Sequence, residues 1–209
     1  RYSRGEMSLE EASLEGCRAC GTPGGGCQFL GTAATSQVVA EALGMTVPHA
    51  ALAPSGQPIW TQLARDSADA VRTMVEREET LRDILTADAV YNAMLMHAAV
   101  GGSTNLLLHI PAIAAAAGLE KPDAAAFRAI NQLVPRFVDC LPNGPVGHPT
   151  VQLFLAGGVP ELMIQLRELD LLELDALTCT GKTLGKNLEA WESCDRRENC
   201  KVRGPGLSE

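Results

Sequence analysis

The chain has 209 residues, 46% hydrophobic and 20% charged, which is ordinary usage for a folded domain and argues against disorder as its main state. A formal charge of -8 at pH 7, with no Lys/Arg-rich run, argues against a nucleic-acid partner, whose phosphates call for a basic stripe. The longest apolar stretch, residues 106–119, is interrupted by His109 and Pro111 and is shorter than the ~20 residues that span a bilayer, so no membrane partner is expected.

In chain order, Ser8 reads as the cap of a short acidic helix over residues 8–15. Residues 16–45 then set three cysteines, Cys17, Cys20 and Cys27, in a glycine-rich loop. The loop runs into a small-residue helix predicted from Thr32 to Leu43 and closed by Gly44. Cysteine thiolates bind soft metals or iron–sulfur clusters, glycines permit close backbone approach, and a helix N-terminus offers free N–H groups to an anion. Ile59, Leu63, Ser67, Ala70, Val71 and Met74 fall at helical spacing and predict an amphipathic helix to about Glu78. Thr80 with Asp83 forms a capping-box pattern for another short turn.

Asp88–Val100 and Ser103–Ala117 read as two apolar helices split by Gly101 and Gly102, with Ser103 capping the second. Hydrophobicity all round such helices predicts that both are buried. Asp123 caps a helix to Leu133; Pro160 falls in the first turn of another. Arg136–Leu141 and Asp175–Gly181 have the β-branched look of short strands. Strands alternating with helices predict an α/β fold: one helix-rich, three-layer domain around a small, mainly parallel sheet. Aromatics are only 4% of the chain, so the core is expected to be closely packed small and aliphatic side chains. Seven cysteines without the spacing of a secreted scaffold, and no secretory signal, predict a reducing, cytoplasmic setting. With Arg1 first and no methionine before Met7, further sequence upstream is expected.

The Cys27 segment GGCQFLGTAATSQVVAEALGM, then HAAVGGSTNLLLHIPAIAAAAG, AGGVPELMIQLRELDLL and DALTCTGKTLGKNLE occur in the order seen in one family. Over most of residues 14–192 the chain resembles the dehydratases that include dihydroxy-acid dehydratase, 6-phosphogluconate dehydratase and the sugar-acid dehydratases. GCRACGTPGGGCQFLGTAATSQ and LPNGPVGHPT look most like the bacterial D-xylonate-type enzymes. The resemblance implies loss of water from a 2,3-dihydroxy acid: a base takes the C2 proton, the 3-hydroxyl leaves, and the enol becomes a 2-keto-3-deoxy acid. It also implies a [2Fe–2S] (or [4Fe–4S]) cluster as Lewis acid, Mg²⁺ at the carboxylate end, and a homo-oligomer, dimer or tetramer. Residues 1–209 then correspond to part of the N-terminal, cluster-binding domain. A C-terminal domain is absent, and so are catalytic residues, because the base and most metal ligands fall in family segments outside this stretch.

By motif position, Cys27 matches the last cluster ligand; the alternative is a small buried thiol. Ser103, Thr104 and Asn105 are the expected lining of a substrate or cluster pocket. His109, four residues after Asn105 and on the same helix face, is either a further lining residue or a hydrogen-bonded core histidine. Cys17 and Cys20 form a CxxC that, taken alone, favours zinc or redox chemistry. Cys140 and Cys179 read as packing residues, and the roles of Cys194 and Cys200 stay open, an adventitious disulfide between them being one alternative. Residues 142–149, with His148, are either a specificity element or a surface turn. Lys186 stands where the family commonly has Glu, and Cys179 where it has Val. Two other readings stay open: a dihydroxy-acid dehydratase of branched-chain amino-acid synthesis, or a non-catalytic thiol-rich binding or assembly module.

Overall fold

A computed structural model describes the backbone of residues 1–20 and 29–203, with side chains from 1–14 and 29–200. Cys27 and the rest of residues 21–28 lie outside the described residues. After a 3₁₀ turn at Tyr2–Arg4, the described chain is helical: α1 Leu9–Cys20, α2 Thr32–Ala42, α3 Ile59–Glu76, α4 Leu81–Ile84, α5 Ala87–Val100, α6 Leu106–Ala116, α7 Ala124–Leu133, α8 Thr150–Leu155, α9 Gly158–Glu168, α10 Leu184–Glu192 and α11 Asp195–Arg203.

Several helix starts follow local chemistry. The Ser8 hydroxyl accepts the Glu11 N–H at 3.1 Å while the Glu11 carboxylate accepts the Ser8 N–H at 2.8 Å. Thr80 and Asp83 form the same reciprocal pair, and the Asp123 carboxylate takes the Ala126 N–H at 2.8 Å. α5 is the hub, packed against α2, α6, α7 and α9, and its residues Asn92 to Val100 are all buried. Behind it, the His49 ring stacks on Phe154 with centroids 4.2 Å apart and lies 4.6 Å from Trp191. Trp191, itself buried, donates its indole N–H to Glu161 at 2.8 Å, whereas Trp60 on α3 is 48% exposed. Arg167 and Glu192 close a two-pronged ion pair between α9 and α10 at 2.9 and 2.8 Å. A smaller cluster of Val47, Leu63, Ala70, Ile84 and Cys179 seats α3 and α4.

The helix-rich part of the expectation holds; the sheet does not appear among the described residues, where only isolated bridges form, Cys140 with His148 and Leu177 with Thr183. A strand needs a neighbour along its length, and here the neighbours are not strands. The Phe137 N–H goes to the Ala99 carbonyl of α5, the Leu141 carbonyl accepts from Leu30, and the Cys179 N–H goes to the Gly44 carbonyl. The two predicted strands are therefore extended loop segments. Other expectations also shift. α6 starts at Leu106 rather than at a Ser103 cap, and it buries only Leu106, Ile110 and Ala114. Val71 on α3 is exposed, and no disulfide joins Cys194 to Cys200. Cys140 and Cys179 are buried, as expected of packing residues.

Candidate polar site at the start of helix α2

α5 ends at Gly101, whose left-handed φ of 59° turns the chain back toward α2. Gly102 then lies so close to its neighbours that a Cβ there would sit 2.5 Å from Thr35 Cγ2 and 2.7 Å from His97 Cδ2. Only glycine fits this approach. The contact delivers Ser103 to a socket in which each of its polar atoms meets a side chain. Its N–H donates to Thr35 Oγ1 at 3.1 Å, its carbonyl lies 3.0 Å from His97 Nε2, and its Oγ lies 3.1 Å from Thr32 Oγ1. Asn105 joins the group by donating from Nδ2 to Thr32 Oγ1 and from its backbone N–H to Ser103 Oγ at 3.4 Å.

The protonation of His97 follows from this geometry. A carbonyl only accepts, so Nε2 carries the proton, and Nδ1 is left as a buried acceptor with no hydrogen-bond partner among the described residues. Burial pushes the His97 pKa down, with the bond to Ser103 opposing it, so the ring is a neutral prop rather than a cation.

Two further loops close on the same place. The Leu30 N–H donates to the Leu141 carbonyl, and Asn143 Nδ2 donates to the Gly101 carbonyl at 2.8 Å. The turn after Cys140 is shaped by Asp139, whose carboxylate accepts the Gly147 and Val146 N–H groups at 2.7 and 3.2 Å. The Gly147 bond leads in holding that carboxyl below its usual pKa. Residues 142–149 are thus an ordered loop tied to the Gly101 turn, with His148 exposed on it.

The sequence candidates separate accordingly. Ser103 is half-buried and Asn105 exposed, and both meet Thr32; Thr104 is exposed beside them. His109 is exposed and lines a different feature, an apolar groove of about 470 Å³ between α2 and α6 with Val39, Leu43, Met45 and Ile113. Sequence reasoning did not single out Thr32, Thr35, His97 or Asn143. The signal for the first two was their i, i+3 spacing in the first turn of a helix that follows a glycine-rich loop.

A second titratable pair lies away from this edge. Glu41 is buried and accepts the His49 N–H at 2.6 Å and the Ala51 N–H at 2.9 Å. These bonds hold a turn in which His49 and Leu52 adopt left-handed φ of 62° and 67°. Burial raises the Glu41 pKa to about 7 against those bonds, and burial lowers His49 to about 4. Both groups serve the turn. Among the described residues, no group of three or more His, Cys, Asp or Glu comes together in a way that could hold a metal ion. Burial also pushes the Cys140 and Cys179 thiols up to about 11, which keeps them protonated and poor as ligands. The backbone at Cys17 and Cys20 belongs to α1.

The chain is similar to known proteins along nearly its whole length. Residues 1–187 match the family model described as dihydroxy-acid/6-phosphogluconate dehydratase N-terminal. D-xylonate dehydratase YagF of Escherichia coli strain K12 is 62% identical over 197 residues, covering 94% of this chain and 30% of that protein. D-xylonate dehydratase YjhG of the same strain is 57% identical over 201 residues, covering 96% and 31%. A dihydroxy-acid dehydratase of Sulfurisphaera tokodaii is 37% identical over 191 residues, covering 91% and 33%. The chain thus spans about 30% of the length of the curated relatives it matches best among these.

Proposed function

We propose, on the premise that this chain belongs to the dihydroxy-acid/6-phosphogluconate dehydratase N-terminal family, that it is the N-terminal, cluster-binding part of a hydro-lyase acting on a 2,3-dihydroxy sugar acid. The observation that carries the finer reading is the gap in identity, 62% to a D-xylonate dehydratase against 37% to a dihydroxy-acid dehydratase. The substrate is accordingly D-xylonate or a close aldonate, and the product a 2-keto-3-deoxy acid.

The reaction needs an acid held by its polar groups, a base at C2 and help for a poor leaving group. The described residues supply the first of these. Ser103, Thr104 and Asn105 form the polar edge that meets the substrate, and the neutral His97 and Thr35 hold that edge without adding charge to it. His109 lines the α2–α6 groove, one helical turn from Asn105. The described residues do not by themselves form a cluster site. In the proposal Cys27 is this chain's ligand to a [2Fe–2S] (or [4Fe–4S]) cluster, and further ligands and Mg²⁺ are held by the remainder of a family-length protein. Such a cluster, once bound, supplies Lewis acidity at the departing hydroxyl.

The same proposal covers the surroundings. The protein is cytoplasmic, works as a dimer or tetramer, and binds neither nucleic acid nor membrane. Among the described residues no helix is long and apolar enough to cross a bilayer.

The test is turnover by the full-length polypeptide carrying these residues, assayed for 2-keto acid on D-xylonate, D-gluconate, 6-phosphogluconate and dihydroxy-isovalerate, with iron, zinc and labile sulfide measured. D-xylonate is expected to give the highest kcat/KM, and Cys27→Ser to lose both visible cluster absorbance and turnover. Zinc in place of iron with no turnover, or a Cys27→Ser variant equal to its parent, would overturn the reading.

A further inference from the structure

We infer that Thr32, the first residue of α2, is a positioning residue for acid recognition, acting through Asn105 and Ser103; this rests on the proposed function. The hydroxyl is not spent on its own helix. α2 is entered through Gly31 with no side-chain cap bond, and Thr32 reaches instead across to the loop after α5. An amide nitrogen only donates, so Thr32 Oγ1 accepts from Asn105 Nδ2. The amide is planar, so fixing Nδ2 also fixes the direction of Oδ1. Asn105 is exposed, which leaves that oxygen open to a ligand hydroxyl.

The hydroxyl protons supply a donor as well. Thr32 and Ser103 carry two hydroxyl protons and share one hydrogen bond, and Ser103 Oγ also accepts the Asn105 N–H. Among the described residues, one proton of the pair is left without an acceptor. The group therefore presents an acceptor, Asn105 Oδ1, beside a hydroxyl donor, which is the pairing that a polyhydroxy acid matches and an apolar dihydroxy acid matches less fully. Thr35 differs: it is fully buried and holds the Ser103 backbone only.

The experiment uses the full-length protein. Thr32→Val, close in shape and lacking the hydroxyl, is expected to raise KM for D-xylonate about tenfold, the scale of one or two lost hydrogen bonds, with kcat, cluster absorbance and Tm near the parent's. Thr32→Ser should restore KM, and in an Asn105→Ala background Thr32→Val should change KM less than about twofold. An active parent with unchanged KM in Thr32→Val overturns the assignment. So does a joint loss of Tm and activity that Thr32→Ser leaves unrescued, since that marks a purely structural role. A parent inert toward all four acids defeats the functional reading instead. The Asn105 side-chain amide NMR signals then decide: faster exchange in Thr32→Val supports the positioning role, and identical signals overturn it.

Discussion

α5 and α6 are both predominantly apolar helices, α6 the more apolar of the two, joined by a turn of a few residues, yet it is α5 that the chain buries more completely. α5 is buried from Asn92 to Val100, while α6 buries a single stripe, Leu106, Ile110 and Ala114, and leaves Leu107 and Leu108 at 40% and 72% exposure. The stripe follows the i, i+4, i+8 spacing of one helix face. α5 has neighbours on all sides in α2, α6, α7 and α9, whereas α6 meets α5 and α2. Apolar composition all round a helix therefore states what a helix tolerates, and the number of packed neighbours decides what it buries.

The contrast can be broken first at its strongest point. Leu95→Ala, at a fully buried position of α5, should cost about 2–5 kcal/mol in urea unfolding, while Leu108→Ala on α6 should stay within about 0.5 kcal/mol. Equal losses would erase the distinction between the helices. Next comes the turn between them. Gly102→Ala forces a methyl against Thr35 and His97 and should cost about 1–3 kcal/mol through overpacking, with KM for the acid raised in the full-length protein. A third measurement uses protonation. His97 on α5 has a pKa lowered by burial, so its neutral form favours the fold above about 6.5, and that contribution fades as pH falls from there toward the lowered folded value. The stability gap between the parent and His97→Asn should therefore narrow from pH 7 to pH 5, read from urea midpoints at each pH. A gap independent of pH would mean that His97 is wetter than its packing implies. The smallest effect is expected for Leu108→Ser, which should leave stability unchanged and reduce self-association in size-exclusion runs of the isolated chain.

The same reasoning explains which parts were legible from sequence. Helix starts were readable because a cap is settled within four residues, as at Ser8 with Glu11, Thr80 with Asp83, and Asp123. Strands were not, because a β-prone segment such as Arg136–Leu141 becomes a strand only if another strand lies alongside, and here Ala99 and Leu30 take its hydrogen bonds. α8 escaped notice because six residues after Pro149 hold too few turns for a period to show. α11 has no counterpart among the predicted elements because its nine residues are mostly charged and the sequence does not show that Arg197 finds the Glu161 carboxylate. Of the polar edge, Ser103 and Asn105 were visible through their motif, but their holders Thr35 and His97 sit 68 and 6 positions away, and only folding brings them together.

The packing of Trp191 against the stacked His49 and Phe154 rings has a practical consequence. The chain has only two tryptophans, one sealed beside an imidazole in the interior and the other, Trp60, at the boundary with water. Acrylamide should silence Trp60 emission first, and the blue-shifted light that remains should come from Trp191. Its intensity then serves as an intrinsic optical gauge of whether α8, α10 and the turn at His49 are assembled, with no dye attached.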